Sequence, residues 1–257
     1  MARLARVVVP GVPHLVVQRG NRNQETFLRE KDYAAYIDLM AEWCDRMRVK
    51  VWAYCLMPNH TNLLCVPKTE DGLALAIGEA HRRYTRLVND REGWNGHLWQ
   101  GRFSSFPLET NYVLDAARYV ELNPIRSGLR RRIKDWKWSS VRAHLAGEND
   151  ALVQARPLLR KKKNWDGFLR DGLSDESLNT LRRHSRTGRP LGSDEFVERI
   201  ESELGRSLKK RKPGPKPGSK RKAAKKISKK KPAPKPAPKP AVGHGAIKGR
   251  KRKTGKA

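Results

Sequence analysis

The chain has 257 residues, and its 56 Lys and Arg against 26 Asp and Glu give a formal net charge of +30. Nucleic acid is the default counter-charge for such a protein. Cys44, Cys55 and Cys65 form neither a CxxC pair nor an even disulfide set, no apolar run reaches membrane-spanning length, and the N-terminus lacks a secretory pattern; a disulfide scaffold and a membrane protein are therefore excluded, and a cytoplasmic, nucleoid-associated location is expected.

In chain order, the β-branched runs at Arg6 to Pro10 and His14 to Gln18, broken by Gly11 and Pro13, predict one long interrupted strand, followed by a turn around Gly20 to Asn23. From Lys31 to Met47 the apolar residues Tyr36, Leu39, Met40, Trp43 and Met47 recur at helical spacing, which predicts a helix with one face on a sheet. Val49 to Met57 and Thr61 to Val66 read as paired strands joined at Pro58 and Asn59. A second amphipathic helix is expected from Gly72 to Asn89, with Arg82, Arg83 and Arg86 off its apolar face and available to a phosphate backbone. His97 to Phe106 predicts a fourth strand, and Tyr112 to Leu122 a third helix that Pro124 should stop. The order βαββαβα is that of a ferredoxin-like split βαβ sheet, an α+β class with helices packed on one face.

Residues 1–145 are long enough for one core, and 146–205 form a helical extension too small to be a confident second one. Beyond the βαββαβα pattern, Trp136 to His144 predicts a short helix capped by Ser139 or Ser140, and within the extension Asp175 to Ser185 and Asp194 to Leu204 predict two more, joined by the turn-rich Thr187 to Gly192. That pair reads as plain packing units in preference to a helix-turn-helix reader. From Arg206 onward there are 22 Lys and Arg and no acid, which leaves 34 basic against 26 acidic residues, a net of +8, on residues 1–205. The Lys/Pro/Ala-rich tail, residues 206–257, lacks apolar surface to offset the entropy of ordering and is expected to be disordered, binding nucleic acid without sequence preference and with strong salt dependence.

The chemistry resides in two fragments, Met57 to Leu64 and Arg118 to Pro124. On a strand His60 and Asn62 project on one side, and on a helix Tyr119 and Asn123 share a face at i and i+4. If the helix lies by the strand, an imidazole nitrogen and two amide oxygens meet beside a phenol. Such a set holds Mg²⁺ or Mn²⁺ when water and a substrate phosphate complete the shell. The hydroxyl of Tyr119 would attack phosphorus, aided by the cation or by a basic neighbour such as Arg118, because a phenol titrates near pH ~10 in a model peptide.

These fragments, with Leu98 to Phe103, Arg118 to Gly128 (RYVELNPIRSG) and Trp138 to Ser140, resemble the REP-associated tyrosine transposases, a bacterial branch of the HUH single-strand DNA transposases; the similarity covers about residues 1–145, and Thr187 to Phe196 is similar to an extension of longer members. The resemblance implies Tyr119 as nucleophile, His60 and Asn62 at the paired metal-ligand positions, Asn123 as the helix residue completing the site, and Gln100 and Arg102 with the basic helix face among the DNA-holding residues. It implies cleavage and rejoining of single-stranded DNA at palindromic, hairpin-forming repeats; members of this branch look monomeric, and the residues themselves leave monomer or homodimer open. The family pattern carries histidine at both ligand positions, whereas this chain has Asn62 at the second. That departure supports an alternative reading, a domesticated, non-cleaving DNA-binding protein. An RNA-binding module, with Trp99 and Phe103 as stacking platforms, leaves Tyr119 and His60 unexplained.

Overall fold

The structure is a computed structural model that describes residues 5–209. Its elements begin with β1 (His14–Arg19), α1 (Glu30–Arg46), β2 (Val49–Met57), β3 (His60–Pro67), α2 (Gly72–Glu92), β4 (Ser104–Pro107) and α3 (Val113–Glu121). The four strands form one antiparallel sheet in the order β2-β3-β1-β4, so β3 is inserted between the strands that flank α1. This is the ferredoxin-like split βαβ arrangement expected from the element order.

Side chains alternate across β3. Thr61 faces Tyr36 of α1, and Cys65 faces Cys44 of the same helix. On that side α1 and α2 close over the sheet through Tyr36, Met40, Ile77, Ala80 and Tyr84, all fully buried. His60 and Asn62 therefore look to the other side, where α3 packs against β2 and β3. Two helices share one face as expected, and α3 occupies the opposite one. There it faces the residues of β3 that carry the chemistry.

The predicted and observed spans differ at three places. Residues 5–9 do not extend β1: the turn at Pro10 and Gly11 redirects the chain, and Val7 and Val9 pack instead against Phe196, Ile200 and Leu208. Only Ser104–Pro107 of the predicted fourth strand is regular, because Gly101 takes a left-handed φ of 59°; upstream of it a single bridge, Gly20 to Trp99, continues the pairing. Pro124 does not simply end α3. The helix stops at Glu121, Leu122 leaves helical geometry at ψ 2°, and Pro124 occupies the first turn of a new short helix, α4 (Asn123–Arg126), where its missing N–H costs nothing.

The extension continues as α5 (Val141–Ala146), α6 (Arg156–Leu159), α7 (Trp165–Arg170), α8 (Asp175–Thr187) and α9 (Asp194–Leu204). It belongs to the same compact unit as the sheet. Ser174 and Ser193 cap α8 and α9 by accepting from the N–H groups of Ser177 and Phe196. Ser140 precedes α5 without capping it; its hydroxyl donates to Glu121 at 2.5 Å. Arg206 donates to the Arg6 carbonyl at 2.6 Å and Leu208 is buried, so the folded body runs to Lys209, slightly beyond the expected boundary at residue 206. The expected disordered tail otherwise lies outside the described residues. Among the described residues, no helix is long and apolar enough to cross a membrane.

Candidate active site

A tight backbone approach sets the position of His60. The N–H of Gly20 donates to the Asn59 carbonyl at 2.8 Å, and a Cβ on Gly20 would meet the Gln24 carbonyl oxygen at 2.2 Å and Thr26 Cγ2 at 2.9 Å. The hairpin turn at Pro58 and Asn59 is thereby held against the end of β1. From it a polar chain runs through the site. Asn59 Nδ2 donates to Asn23 Oδ1 at 3.0 Å, which turns Asn59 Oδ1 toward His60 Nδ1 at 2.7 Å. With Nδ1 as the donor, Nε2 carries the lone pair, and it accepts from Asn123 Nδ2 at 2.8 Å. Asn123 Oδ1 in turn accepts from Arg126 at 3.3 Å.

Burial, and then the neighbouring charges of Arg19 and Arg126, push the His60 pKa down to about 4. Its imidazole is neutral at physiological pH and able to act as a ligand. Asn62 is 1% exposed, and neither its Oδ1 nor its Nδ2 has a hydrogen-bond partner. An unpaired buried amide costs free energy, so its presence beside His60 points to a ligand that would satisfy it.

Tyr119 is buried for most of its surface yet lines a cleft of about 620 Å³ together with Arg19 and residues of α8. The Arg126 guanidinium lies over its ring, 4.6 Å from the centroid, and desolvation lowers the pKa of that arginine. The fold thus brings His60, Asn123 and Arg126 into one hydrogen-bonded chain, with Tyr119 against Arg126 and Asn62 on the same strand face as His60.

The donor set fits a divalent cation in kind, with the unspent Oδ1 of Asn62 joined by the Nε2 lone pair and the Oδ1 of Asn123 once the Asn123 amide releases Nε2 and turns its oxygen inward. It is wholly neutral. Among the described residues, no group of three or more His, Cys, Asp or Glu could hold a metal, and two guanidiniums stand nearby.

The other predicted residues are dispersed. Arg82, Arg83 and Arg86 lie on α2, on the far side of the sheet, and pair within that helix with Glu79 and Asp90. Arg118 turns away from the cleft: Nε donates to the Phe168 carbonyl at 2.9 Å, its guanidinium covers the Phe168 ring, and Asp171 lies 3.2 Å away. Arg118 is an anchor for α7. The backbone N–H of Gln100 donates to the Arg19 carbonyl at 2.8 Å, while Arg102 borders two clefts lined by Phe103. Sequence reasoning did not single out Arg19, Arg126, Arg182, Arg183 or Arg186, nor the buried Glu121. That carboxylate accepts from Ser140 at 2.5 Å, His144 at 2.6 Å and Trp165 at 2.8 Å, tying α3 to α5 and α7.

Residues 11–123 match the family described as "Transposase IS200 like". A Haemophilus influenzae protein provisionally named a REP-associated tyrosine transposase is 25% identical over 116 residues, which is 41% of this chain and 66% of the relative, so the chain spans just under two thirds of that relative's length. A solved structure described as a REP-associated tyrosine transposase bound to a REP hairpin matches with a TM-score of 0.50 at 18% identity, covering 59% of this chain and 90% of that one. At that identity the match establishes the fold.

Proposed function

We propose, from the premise that residues 11–123 form an IS200-like transposase domain, that the chain cleaves and rejoins single-stranded DNA at hairpin-forming repeats through a covalent Tyr119 intermediate. The observation that carries this reading is the convergence of a neutral His60, an unpartnered buried Asn62 and the Asn123–Arg126 pair on the sheet face covered by the Tyr119 helix. Among the described residues, Asn62 is the side chain with two buried polar atoms that both lack a partner, and it stands beside an uncharged imidazole.

In the reaction the Tyr119 Oη attacks the scissile phosphorus. The new bond is the phosphotyrosine ester, the phosphate's bond to one deoxyribose oxygen breaks, and the phenolic proton is lost while the leaving hydroxyl gains one. The bond energy is retained in the ester, so attack by a second strand end reverses the step without ATP. Arg126, over the Tyr119 ring, favours the negative charge that develops on the phenolic oxygen. His60, fixed as the Nδ1–H tautomer by Asn59, presents Nε2. His60, Asn62 and Asn123 would hold Mg²⁺ or Mn²⁺, which when bound supplies Lewis-acid polarisation of a phosphate oxygen. Because these ligands are neutral and Arg19 and Arg126 repel a cation, the anionic phosphate itself is needed to balance the site, so metal and DNA should bind cooperatively.

The test is covalent trapping. Purified protein incubated with Mg²⁺ or Mn²⁺ and labelled single-stranded hairpin DNA should yield a denaturation-resistant adduct that Tyr119→Phe lacks; an adduct persisting in Tyr119→Phe removes the assignment. Asn62 favours a second reading, a DNA-binding protein that no longer cleaves, because an amide oxygen is a weaker metal ligand than the imidazole that stands at this position in the family pattern. An inert wild type, with cleavage restored in Asn62→His and equal DNA affinity in both, would establish that reading instead.

A further inference from the structure

We infer that α8, an element of the C-terminal extension, completes the Tyr119 cleft as a phosphate clamp that seats the backbone of a DNA single strand; this rests on the reading of Tyr119 as the strand-cutting residue. Asn179, Arg182, Arg183 and Arg186 follow one another at i, i+3, i+4 and i+7, so they form one stripe of the helix, and all four line the cleft with Arg19 and Tyr119. Away from the stripe, Leu181 is buried and Ser177 donates to Asp115 of α3 at 2.7 Å, while Ser185, which also borders the cleft, accepts through its carbonyl from Ser104 of β4. The helix is therefore fastened at both ends across the active face, with its basic stripe turned to the phenol.

The charges in this stripe are uncompensated. No carboxylate forms an ion pair with Arg19, Arg126, Arg182, Arg183 or Arg186 among the described residues, and Arg182 adds to the depression of the Arg126 pKa. The acids of α8, Asp175 and Glu176, stand at its first turn, with Glu176 about 9 Å along the axis from Arg182 and about 15 Å from Arg186 at 1.5 Å per residue. That is beyond the reach of unscreened attraction at physiological salt, where the Debye length is about 8 Å. The contrast with α2 is direct, since each of its three arginines has a carboxylate partner within the helix, Arg82 and Arg83 sharing Glu79 and Arg86 pairing with Asp90. Guanidiniums massed without counter-ions at the mouth of a cleft call for an anionic occupant, and the bidentate fork of arginine suits phosphate oxygens.

Two matched variants test the clamp in the full chain, so that the basic tail contributes equally to both. Arg182→Gln, Arg183→Gln and Arg186→Gln are combined in one, and Arg82→Gln, Arg83→Gln and Arg86→Gln in the other, each in a Tyr119→Phe background so that binding is read whether or not the protein cleaves. Fluorescence anisotropy with a labelled mixed-sequence DNA single strand is recorded across a salt series. Loss of three phosphate contacts should lower the log–log salt slope of the α8 variant by about 2, at about 0.7 per contact, while the α2 variant keeps nearly the slope of the parent. Equal slopes and affinities in the two variants would overturn the clamp, as would tighter binding of intact duplex than of single strand to the parent. Circular dichroism melting confirms that both variants are folded; since all six arginines are exposed, melting should change little. Neither result bears on adduct formation, so failure of the clamp is separable from failure of the Tyr119 assignment.

Discussion

Replacing Asn62 by leucine should make the protein more stable and remove its capacity to respond to a cation. The side chain is 1% exposed, and both of its polar atoms lack a partner. Leucine has nearly the same branched shape, so the substitution opens little space and requires little rearrangement. Leaving a buried donor or acceptor unsatisfied costs about 1–3 kcal/mol, and replacing the group by an apolar one of equal shape recovers that cost. A gain of about 1–3 kcal/mol is expected, and with a folded body of this size it corresponds to a rise in Tm of roughly 2–12 °C. Thermal and urea unfolding of the full chain, with and without Mn²⁺ and hairpin DNA, measures both halves of the expectation. Wild type should be stabilised by metal and DNA together, whereas Asn62→Leu should show the higher baseline and no response to metal. A variant less stable than wild type would refute the reasoning, because it would mean that the amide is already satisfied in the folded protein.

Three further outcomes follow from other parts of the structure. Glu121→Ala strands the Ser140, His144 and Trp165 donors and should destabilise the protein by about 3 kcal/mol or more at about 1–3 kcal/mol each; a ΔΔG below about 1 kcal/mol by urea titration would show that the extension does not depend on this carboxylate. Gly20→Ala forces a Cβ into the Gln24 and Asn59 carbonyls and should cost about 1–3 kcal/mol while displacing the hairpin turn that carries His60; wild-type stability together with unchanged metal response would contradict this. Burial holds His14 and His60 neutral with pKa values near 4 and His81 near 3. The unfolded chain takes up these protons near pH 6.5, so the stability these histidines contribute is complete above that value. It is lost as pH falls toward 4, by about 3 kcal/mol per histidine. A Tm that is flat from pH 7 to 4.5 would speak against the three being neutral in the fold.

Much of the fold was legible because its signals are local. The apolar spacing in α1 and α2 and the Pro58–Asn59 turn between β2 and β3 define periodicities that the tertiary structure keeps, and the observed ends fall within a few residues of those expected. Two departures, at Gly101 and Pro124, come from local backbone geometry, and the others come from long-range contacts. Val7 and Val9 have strand-like composition, yet their partners Phe196 and Ile200 lie nearly two hundred residues away, and a turn at Pro10 delivers them to that cluster in place of the sheet. Ser140 suits a helix cap by type and position; a buried carboxylate on α3 takes its hydroxyl instead.

The candidate site divides along the same line. His60 with Asn62, and Tyr119 with Asn123, were readable because two residues on a strand and four on a helix fix a shared face whatever the rest of the chain does. Which basic helix faces that site is a tertiary matter, and a stripe of arginines on α2 is locally indistinguishable from a stripe on α8 if only the arginines are counted. The acids distinguish them. Glu79 stands three and four residues before Arg82 and Arg83, and Asp90 four after Arg86, the spacing at which helical ion pairs form, and the structure makes these pairs. No acid stands three or four residues from Arg182, Arg183 or Arg186. A helix that must only stay soluble gains from internal pairing, whereas one that must meet a polyanion gains from leaving its charges open. The absence of carboxylates at those offsets was thus the sequence signal that separated the two helices, and it is one that net charge alone does not carry.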